Sequence, residues 1–176
     1  MRVLILTAGI MFTNIVFASD QAYVEISHLG LNITEPRISA QPSAIKGILG
    51  WPQGDNLTYE ALVALGVTDS KFRYGVVNGS IFVNSLLGFY AKGTTKISES
   101  TECFLRAGIV FSKINLKASV GPYQASQNIS SGDLAYGFGI KHRLTKDFNL
   151  AVDYSNYYNK ANIKIHGLGI GVGFNY

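Results

Sequence analysis

Large apolar residues alternate with glycine through the last nine residues of the chain. Because side chains of a β-strand point to opposite faces in turn, one face of this segment is apolar and the other almost bare. An apolar face that contacts lipid and a bare face that looks into a narrow lumen are typical of a transmembrane β-barrel. A soluble sandwich strand is the alternative, and the rest of the chain disfavours it. The apolar set is Leu168, Ile170, Val172, Phe174 and Tyr176, and the other set is Gly167, Gly169, Gly171, Gly173 and Asn175.

The same alternation recurs in seven earlier segments, so the sequence predicts an all-β, eight-stranded antiparallel transmembrane barrel with up-and-down connections. The first strand has the least clear phase, because His28 and Leu29 interrupt the alternation of Val24 and Ile26 with Glu25. The strands are predicted at residues 22–31, 43–51, 56–67, 80–91, 101–113, 133–144, 148–158 and 163–176. In the fourth strand we expect one lipid-facing set, Ile81, Val83, Leu87 and Phe89.

The connections between these strands are mostly long and short in turn. Bacterial barrels have short turns on the periplasmic side and longer loops outside the cell. We therefore expect residues 32–42, 68–79 and 115–132 to form outer loops, which either are solvated spacers or contact a host-surface ligand or lipopolysaccharide. Two connections depart from the rule, since 92–100 is long for a periplasmic turn and 159–162 is short for an outer loop.

The composition excludes several other classes of protein. Charged residues make up 15% and hydrophobic residues 47%, and no segment after the N-terminus has 18 uncharged apolar residues. The formal net charge of +4 comes from scattered basic residues, so we expect no nucleic-acid partner. Cys103 is the only cysteine, so neither an intrachain disulfide nor a cysteine-based metal site is expected.

The N-terminus has the pattern of a secretory signal peptide. Arg2 precedes a mostly apolar run that ends at Ala18 and is followed at once by Ser19 and Asp20. We therefore expect residues 1–18 to be a signal peptide that directs secretion through the inner membrane, and residues 19–176 to be the barrel domain.

Charged residues on the predicted inward faces form the candidate site. An eight-stranded barrel has an interior just wide enough for its own side chains, so these charges are predicted to fill the lumen as a polar network. A network that rearranges to pass ions is the alternative. Counting back through a turn at 52–54 sets Lys46 across from Glu60 as an ion pair. The predicted network is Glu25, Lys46, Glu60, Arg106, Lys141, Arg143 and Asp153.

Catalytic chemistry has little support in the sequence. His28, His142 and His166 are the candidates, and neither His142 nor His166 has a serine and an acid at the same predicted height on neighbouring strands. No catalytic residue, cofactor or metal site is therefore expected. A lipid-modifying enzyme is kept as an alternative function.

Five short motifs carry a family resemblance. The chain resembles the small eight-stranded outer-membrane barrels grouped as OmpA-like or OmpX-like "porin family" proteins. The resemblance implies a bacterial outer membrane of the Gram-negative type, and insertion by the barrel assembly machinery, which reads the last strand with Phe174 and Tyr176. It implies no single function, and we expect a structural or adhesin-like role, with a narrow ion channel as the alternative. The motifs lie at residues 57–61, 104–108, 136–139, 149–154 and 173–176.

Overall fold

The computed structural model describes residues 22–36, 38–160 and 162–176. Over these residues the chain forms ten β-strands in one closed antiparallel sheet, so the predicted barrel is confirmed. The predicted signal peptide, residues 1–18, lies outside the described residues. No helix in the described part of the chain is long and apolar enough to span a membrane.

Eight of these ten strands form the barrel wall, and two short strands, β2 and β5, pair at one end only. The barrel closes where β1 pairs with β10, with Tyr23 opposite Asn175 and Leu29 opposite Gly169. The strands are β1 Tyr23–Glu35, β2 Ile38–Ala40, β3 Ser43–Pro52, β4 Leu57–Thr68, β5 Ser70–Tyr74, β6 Val77–Lys96, β7 Thr101–Val120, β8 Tyr123–Arg143, β9 Phe148–Lys160 and β10 Ile163–Asn175.

The outer surface of the wall carries an exposed apolar band. The predicted phase of the last strand is correct, because its five large apolar side chains are exposed and its glycines face inward. On β8 the band runs from Leu134 to Ile140, and the polar stretch from Ser130 to Asp133 lies beyond it. This band is the surface that the hydrocarbon core of a membrane covers.

A β-bulge in β6 makes one predicted phase wrong. Ile81 and Val83 are buried inside the barrel, whereas Leu87 and Phe89 are exposed on the lipid face. The register against β7 shifts between Val83 and Ser85, which leaves one extra residue at Asn84. One inserted residue moves every following side chain to the opposite face.

The interior of the barrel has two chemically different halves. On β1 the alternation continues through the segment that seemed irregular, so Leu29, Leu31 and Ile33 follow Glu25 and Ser27 on the inner face. With Val83 and Ile165 these side chains form an apolar core in the half of the barrel near β2 and β5. The charged residues lie in the other half.

Several connections predicted as loops are strands. Only residues 97–100 join β6 to β7, so the predicted long periplasmic turn is a short one. The predicted outer loop 115–132 is wrong, because β7 and β8 continue to a two-residue turn at Gly121-Pro122. Gly121 has a φ of 57°, a conformation that glycine adopts without strain. The predicted loops 32–42 and 68–79 likewise contain β2 and β5.

We call the paired outer segments the ribbon, which comprises residues 70–83 of β5 and β6 and residues 113–132 of β7 and β8. Residues 70–79 and 115–132 of the ribbon were predicted as loops because they are polar, and outside a membrane neither face of a strand needs to be apolar. Hydrogen bonds between neighbouring strands stabilise them instead. The pairing of β6 with β7 extends to Asn78 opposite Ser119, and that of β7 with β8 extends to Val120 opposite Tyr123.

Candidate functional site

Six charged side chains are buried in the middle of the lumen, and their charges balance. Five of them belong to the predicted network, and the sixth, Lys92, was missed. The predicted fourth strand stopped at Ala91, although Lys92 continues the inward positions Gly88 and Tyr90. The carboxylates are Glu25, Glu60 and Asp153, the cations are Lys46, Lys92 and Arg106, and all six are 0–3% exposed.

Lys46 joins two of the three carboxylates. Its Nζ donates to Oδ1 of Asp153 on β9 and lies 3.9 Å from Oε1 of Glu25 on β1. Hydroxyl groups complete the cluster, because Ser155 donates to Asp153 at 3.1 Å and Ser27 lies 3.4 Å from Glu25. This cluster therefore ties β1, β3 and β9 together across the lumen.

Glu60 is the centre of the second cluster. Its Oε1 lies 2.9 Å from Nζ of Lys92 and accepts a hydrogen bond from the Tyr23 hydroxyl. Its Oε2 lies 3.4 Å from Nε of Arg106. The Arg106 guanidinium also lies 4.7 Å from the centroid of the Phe104 ring, within the range of a cation–π contact.

The predicted pairing of Lys46 with Glu60 is wrong. Lys46 stands opposite Ala64, and Glu60 stands opposite Gly50. The predicted turn at 52–54 is too early, because the strands stay paired to Pro52 opposite Thr58. Since this register differs from the predicted one by an even number of residues, both side chains still face inward but at different heights.

The remaining two predicted network residues lie at the mouth of the lumen. Lys141 and Arg143 share one carboxylate, Glu102, at 3.4 Å and 3.7 Å. The Arg143 side chain is 49% exposed, so it contacts solvent as well as its partner. These two cations therefore belong to the open polar mouth of the lumen and not to the closed network.

At the opposite end of the barrel, one edge of the ribbon is open. β8 pairs with β9 only over residues 136–143, from Tyr136 opposite Asn156 to Arg143 opposite Asn149. Among the described residues, no strand pairs with the outer edge of β8 over residues 123–131, and residues 123–132 carry no charged side chain. A row of unpaired backbone N–H and C=O groups is a template for pairing with another chain.

An ion pair marks the base of this open edge. Nζ of Lys160 on β9 lies 2.9 Å from Oδ1 of Asp133 and 3.2 Å from the carbonyl oxygen of Gly132. Asp133 also accepts a hydrogen bond from the backbone N–H of Asn159 at 2.9 Å. The Lys160 side chain holds the pKa of Asp133 below its ordinary value, and Asp133 lies just outside the apolar band.

The histidines lie apart on the barrel wall. Nδ1 of His142 lies 2.9 Å from the Thr101 hydroxyl, and the His166 ring packs 5.7 Å from that of Tyr154. Within the described ranges no group of three His, Cys, Asp or Glu side chains has the arrangement of a metal site.

Comparison with known proteins gives a match over almost the whole chain. A family model described as "Outer membrane protein beta-barrel domain" matches residues 5–176. No curated protein sequence matches the chain.

Solved structures of three other bacterial proteins have the same fold. Ail, the attachment invasion locus protein of Yersinia pestis, is 15% identical, with a TM-score of 0.65 over 90% of this chain and 99% of Ail. Neisserial surface protein A is 14% identical, with a TM-score of 0.62 over 88% of this chain and 97% of that protein. The N-terminal β-barrel domain of Pseudomonas aeruginosa OprF is 16% identical, with a TM-score of 0.57 over 90% and 98% of the two chains.

Proposed function

We propose that this chain, which belongs to the outer membrane protein β-barrel family, acts at the bacterial surface as a structural, adhesin-like protein with a closed lumen. Its family membership confirms the resemblance to OmpA-like and OmpX-like barrels. The observation that carries the proposal is the ribbon.

The ribbon extends well beyond the apolar band. β7 has 20 residues and β8 has 21, whereas a transmembrane strand needs only about 9–11. The excess of roughly ten residues corresponds to about 30 Å at about 3.3 Å per residue. A paired ribbon presents this surface in a fixed shape, so a partner that binds it does not have to order a flexible loop.

The open edge of β8 suggests how a partner binds. An extended segment of another protein can add to an exposed sheet edge through main-chain hydrogen bonds, with neighbouring side chains supplying specificity. Tyr123, Gln124, Gln127 and Asn128 provide an aromatic ring and amides along this edge, without charges that would repel an added strand. Ail carries attachment in its name and has been solved with the heparin analogue sucrose octasulfate, which is consistent with a binding role for a similar barrel.

The balanced network and the apolar outer half support a closed lumen. An ion passing along the axis would have to displace buried ion pairs and then cross the layer of Leu29, Leu31 and Val83. Both steps are unfavourable in a low-dielectric interior. We therefore favour a static network over a narrow ion-conducting channel, and planar-bilayer recordings of the purified barrel should show no conductance steps.

The proposal contains no catalytic step. A lipid-modifying enzyme needs a histidine beside a serine and an acid, and the described contacts of His142 and His166 are to Thr101 and to the Tyr154 ring. Lipid analysis of cells that express the protein should show the same lipid A and phospholipid species as cells without it.

Assembly and location complete the proposal. Residues 1–18 act as the signal peptide, and residues 19–176 form the barrel domain in the outer membrane. The exposed aromatic side chains of Phe174 and Tyr176 at the end of β10 serve as the signal for the barrel assembly machinery. The apolar band contacts lipid, and the base of the ribbon contacts lipopolysaccharide.

A shortened ribbon tests the proposed binding role. Leu116 and Gln127 are directly opposite each other, so residues 117–126 can be replaced by Asn-Gly without changing the register. Cells that display the shortened protein should lose adhesion to host cells, while the purified barrel keeps the faster gel mobility of an unheated folded barrel. Adhesion equal to that of the full chain would refute the role of the ribbon.

A matched control addresses the open edge. If a partner adds a strand to this edge, Gln127→Lys should abolish its binding, because the substitution places a charge on the edge. Lys71→Gln should leave the binding unchanged, because it changes a charge on β5, far from the open edge of β8.

A further inference from the structure

The end of the barrel opposite the ribbon contains a large polar vestibule. Its volume is about 930 Å³, within the range of about 300–1,000 Å³ that small-molecule sites occupy. The wall is formed by the ends of the barrel strands, including Tyr23 near the start and Asn175 near the end of the described chain, and by the turn at 53–56. Because short turns lie here together with the start of the first strand and the end of the last, this vestibule faces the periplasm.

Cations outnumber carboxylates in the lining of the vestibule. Two of the cations, Lys141 and Arg143, share the single carboxylate of Glu102. Among the described residues, no carboxylate lies within ion-pair distance of Lys96 or Lys146. The only other acidic residue in the lining is Asp55. The vestibule therefore carries an excess of positive charge.

The vestibule ends at the buried network. Nζ of Lys92 lies at its floor and is bound to Glu60, and the Tyr23 hydroxyl donates to the same carboxylate. The floor is thus neutral and closed, and the unbalanced charge belongs to the wall and rim. Such a concave, positively charged cleft with low-dielectric walls concentrates field lines and attracts anions more strongly than a flat surface does.

Neutral hydrogen-bonding groups lie between the cations. Asn56, Thr58, Thr94, Asn149 and Asn175 line the same cavity with amide and hydroxyl groups. Amide and hydroxyl donors can complete the hydrogen bonds of phosphate or carboxylate oxygens, which accept several donors each.

We propose that the periplasmic vestibule binds a small soluble anion with two or more phosphate or carboxylate groups. Lys141 and Arg143 hold it at the wall, and Lys96 and Lys146 attract it at the rim. The ligand is soluble, since the lining faces the barrel axis and not the lipid. Because the ribbon lies at the other end of the barrel, this inference is independent of the proposed function.

Pyrophosphate is a suitable probe, added to the folded barrel in micelles of an uncharged detergent at low salt. Binding should produce saturable NMR shifts of the Asn56, Thr94 and Glu102 amides, and should weaken steeply as salt is raised. Trehalose, which is neutral, should produce none. If phosphatidylglycerol in the micelle shifts these amides and pyrophosphate does not, the soluble-ligand assignment is wrong.

A pair of charge variants provides the decisive comparison. Lys96→Gln with Lys146→Gln removes two rim charges, and neither residue belongs to the buried network. We expect this variant to weaken pyrophosphate binding at least about tenfold at low salt, because a concave cleft with charges of one sign focuses their field on an anion inside it. Lys71→Gln with Lys117→Gln removes the same charge from the ribbon and should change binding less than about twofold. Equal losses in both double variants, or no saturable binding to the unchanged barrel, would overturn the proposal.

Discussion

Replacing Lys46 with methionine should destabilise the folded barrel by about 3–5 kcal/mol, the cost of removing one partner of a buried ion pair. The Lys46 side chain is fully buried, and its Nζ contacts Asp153 and Glu25. The substitution leaves three buried carboxylates facing two buried cations, because only Lys92 and Arg106 remain. The loss should come mainly from the uncompensated charge, since methionine keeps most of the apolar stem.

A second substitution should recover part of this loss. Asp153→Asn removes the orphan carboxylate and restores a balance of two carboxylates to two cations. The introduced amide oxygen can still accept the hydrogen bond that Ser155 now donates at 3.1 Å. The coupling between Lys46→Met and Asp153→Asn should therefore reach about 0.5–3 kcal/mol, the range for residues in contact.

Urea unfolding in vesicles measures these free energies, with the fluorescence of Trp51, the only tryptophan, and unheated gel mobility as the two readouts. The control cycle combines Lys46→Met with Glu60→Gln, the pair predicted from the turn at 52–54. Its coupling should be smaller, since Glu60 pairs with Lys92 and Arg106. Additive effects for Lys46 and Asp153, or a larger coupling for Lys46 and Glu60, would refute the clusters described above.

Two other predictions concern the wall of the barrel. Phe138→Arg places a charge in the apolar band of β8 and should cost about 2–4 kcal/mol in vesicle unfolding, whereas Gln124→Arg on the same strand in the ribbon should cost almost nothing. Equal costs would contradict the position of the band. Gly108→Ala should destabilise the barrel by about 1–3 kcal/mol, because the added Cβ would overlap the carbonyl oxygen of Phe89. Gly93→Ala, where the added Cβ meets no atom within 4 Å, is the control, and a loss of stability as large as that of Gly108→Ala would exclude the steric explanation.

The wall of the barrel could be predicted from the sequence because its pattern is local. Lipid contact requires alternate apolar residues within each strand, so the inward or outward direction of Leu150, Asp153 or Arg106 follows from near neighbours alone. The exception was β6, where the bulge at Asn84 changes the phase and leaves no signal in the composition. The strands of the ribbon were missed because they lie in water. Paired strands there need no apolar face, so their sequence does not alternate between apolar and polar residues.

The contacts inside the lumen were decided by the tertiary structure. Lys46 binds Asp153, 107 residues further along the chain, and that contact depends on the strand register and on closure of the barrel between β1 and β10. The register depends on where each turn begins, and the polar residues around Gly54 are compatible with a turn that begins at any of several positions. Strand periodicity therefore determined which charges enter the lumen, whereas only the closed barrel determined which of them meet, because pairing across the lumen joins residues that no local pattern relates.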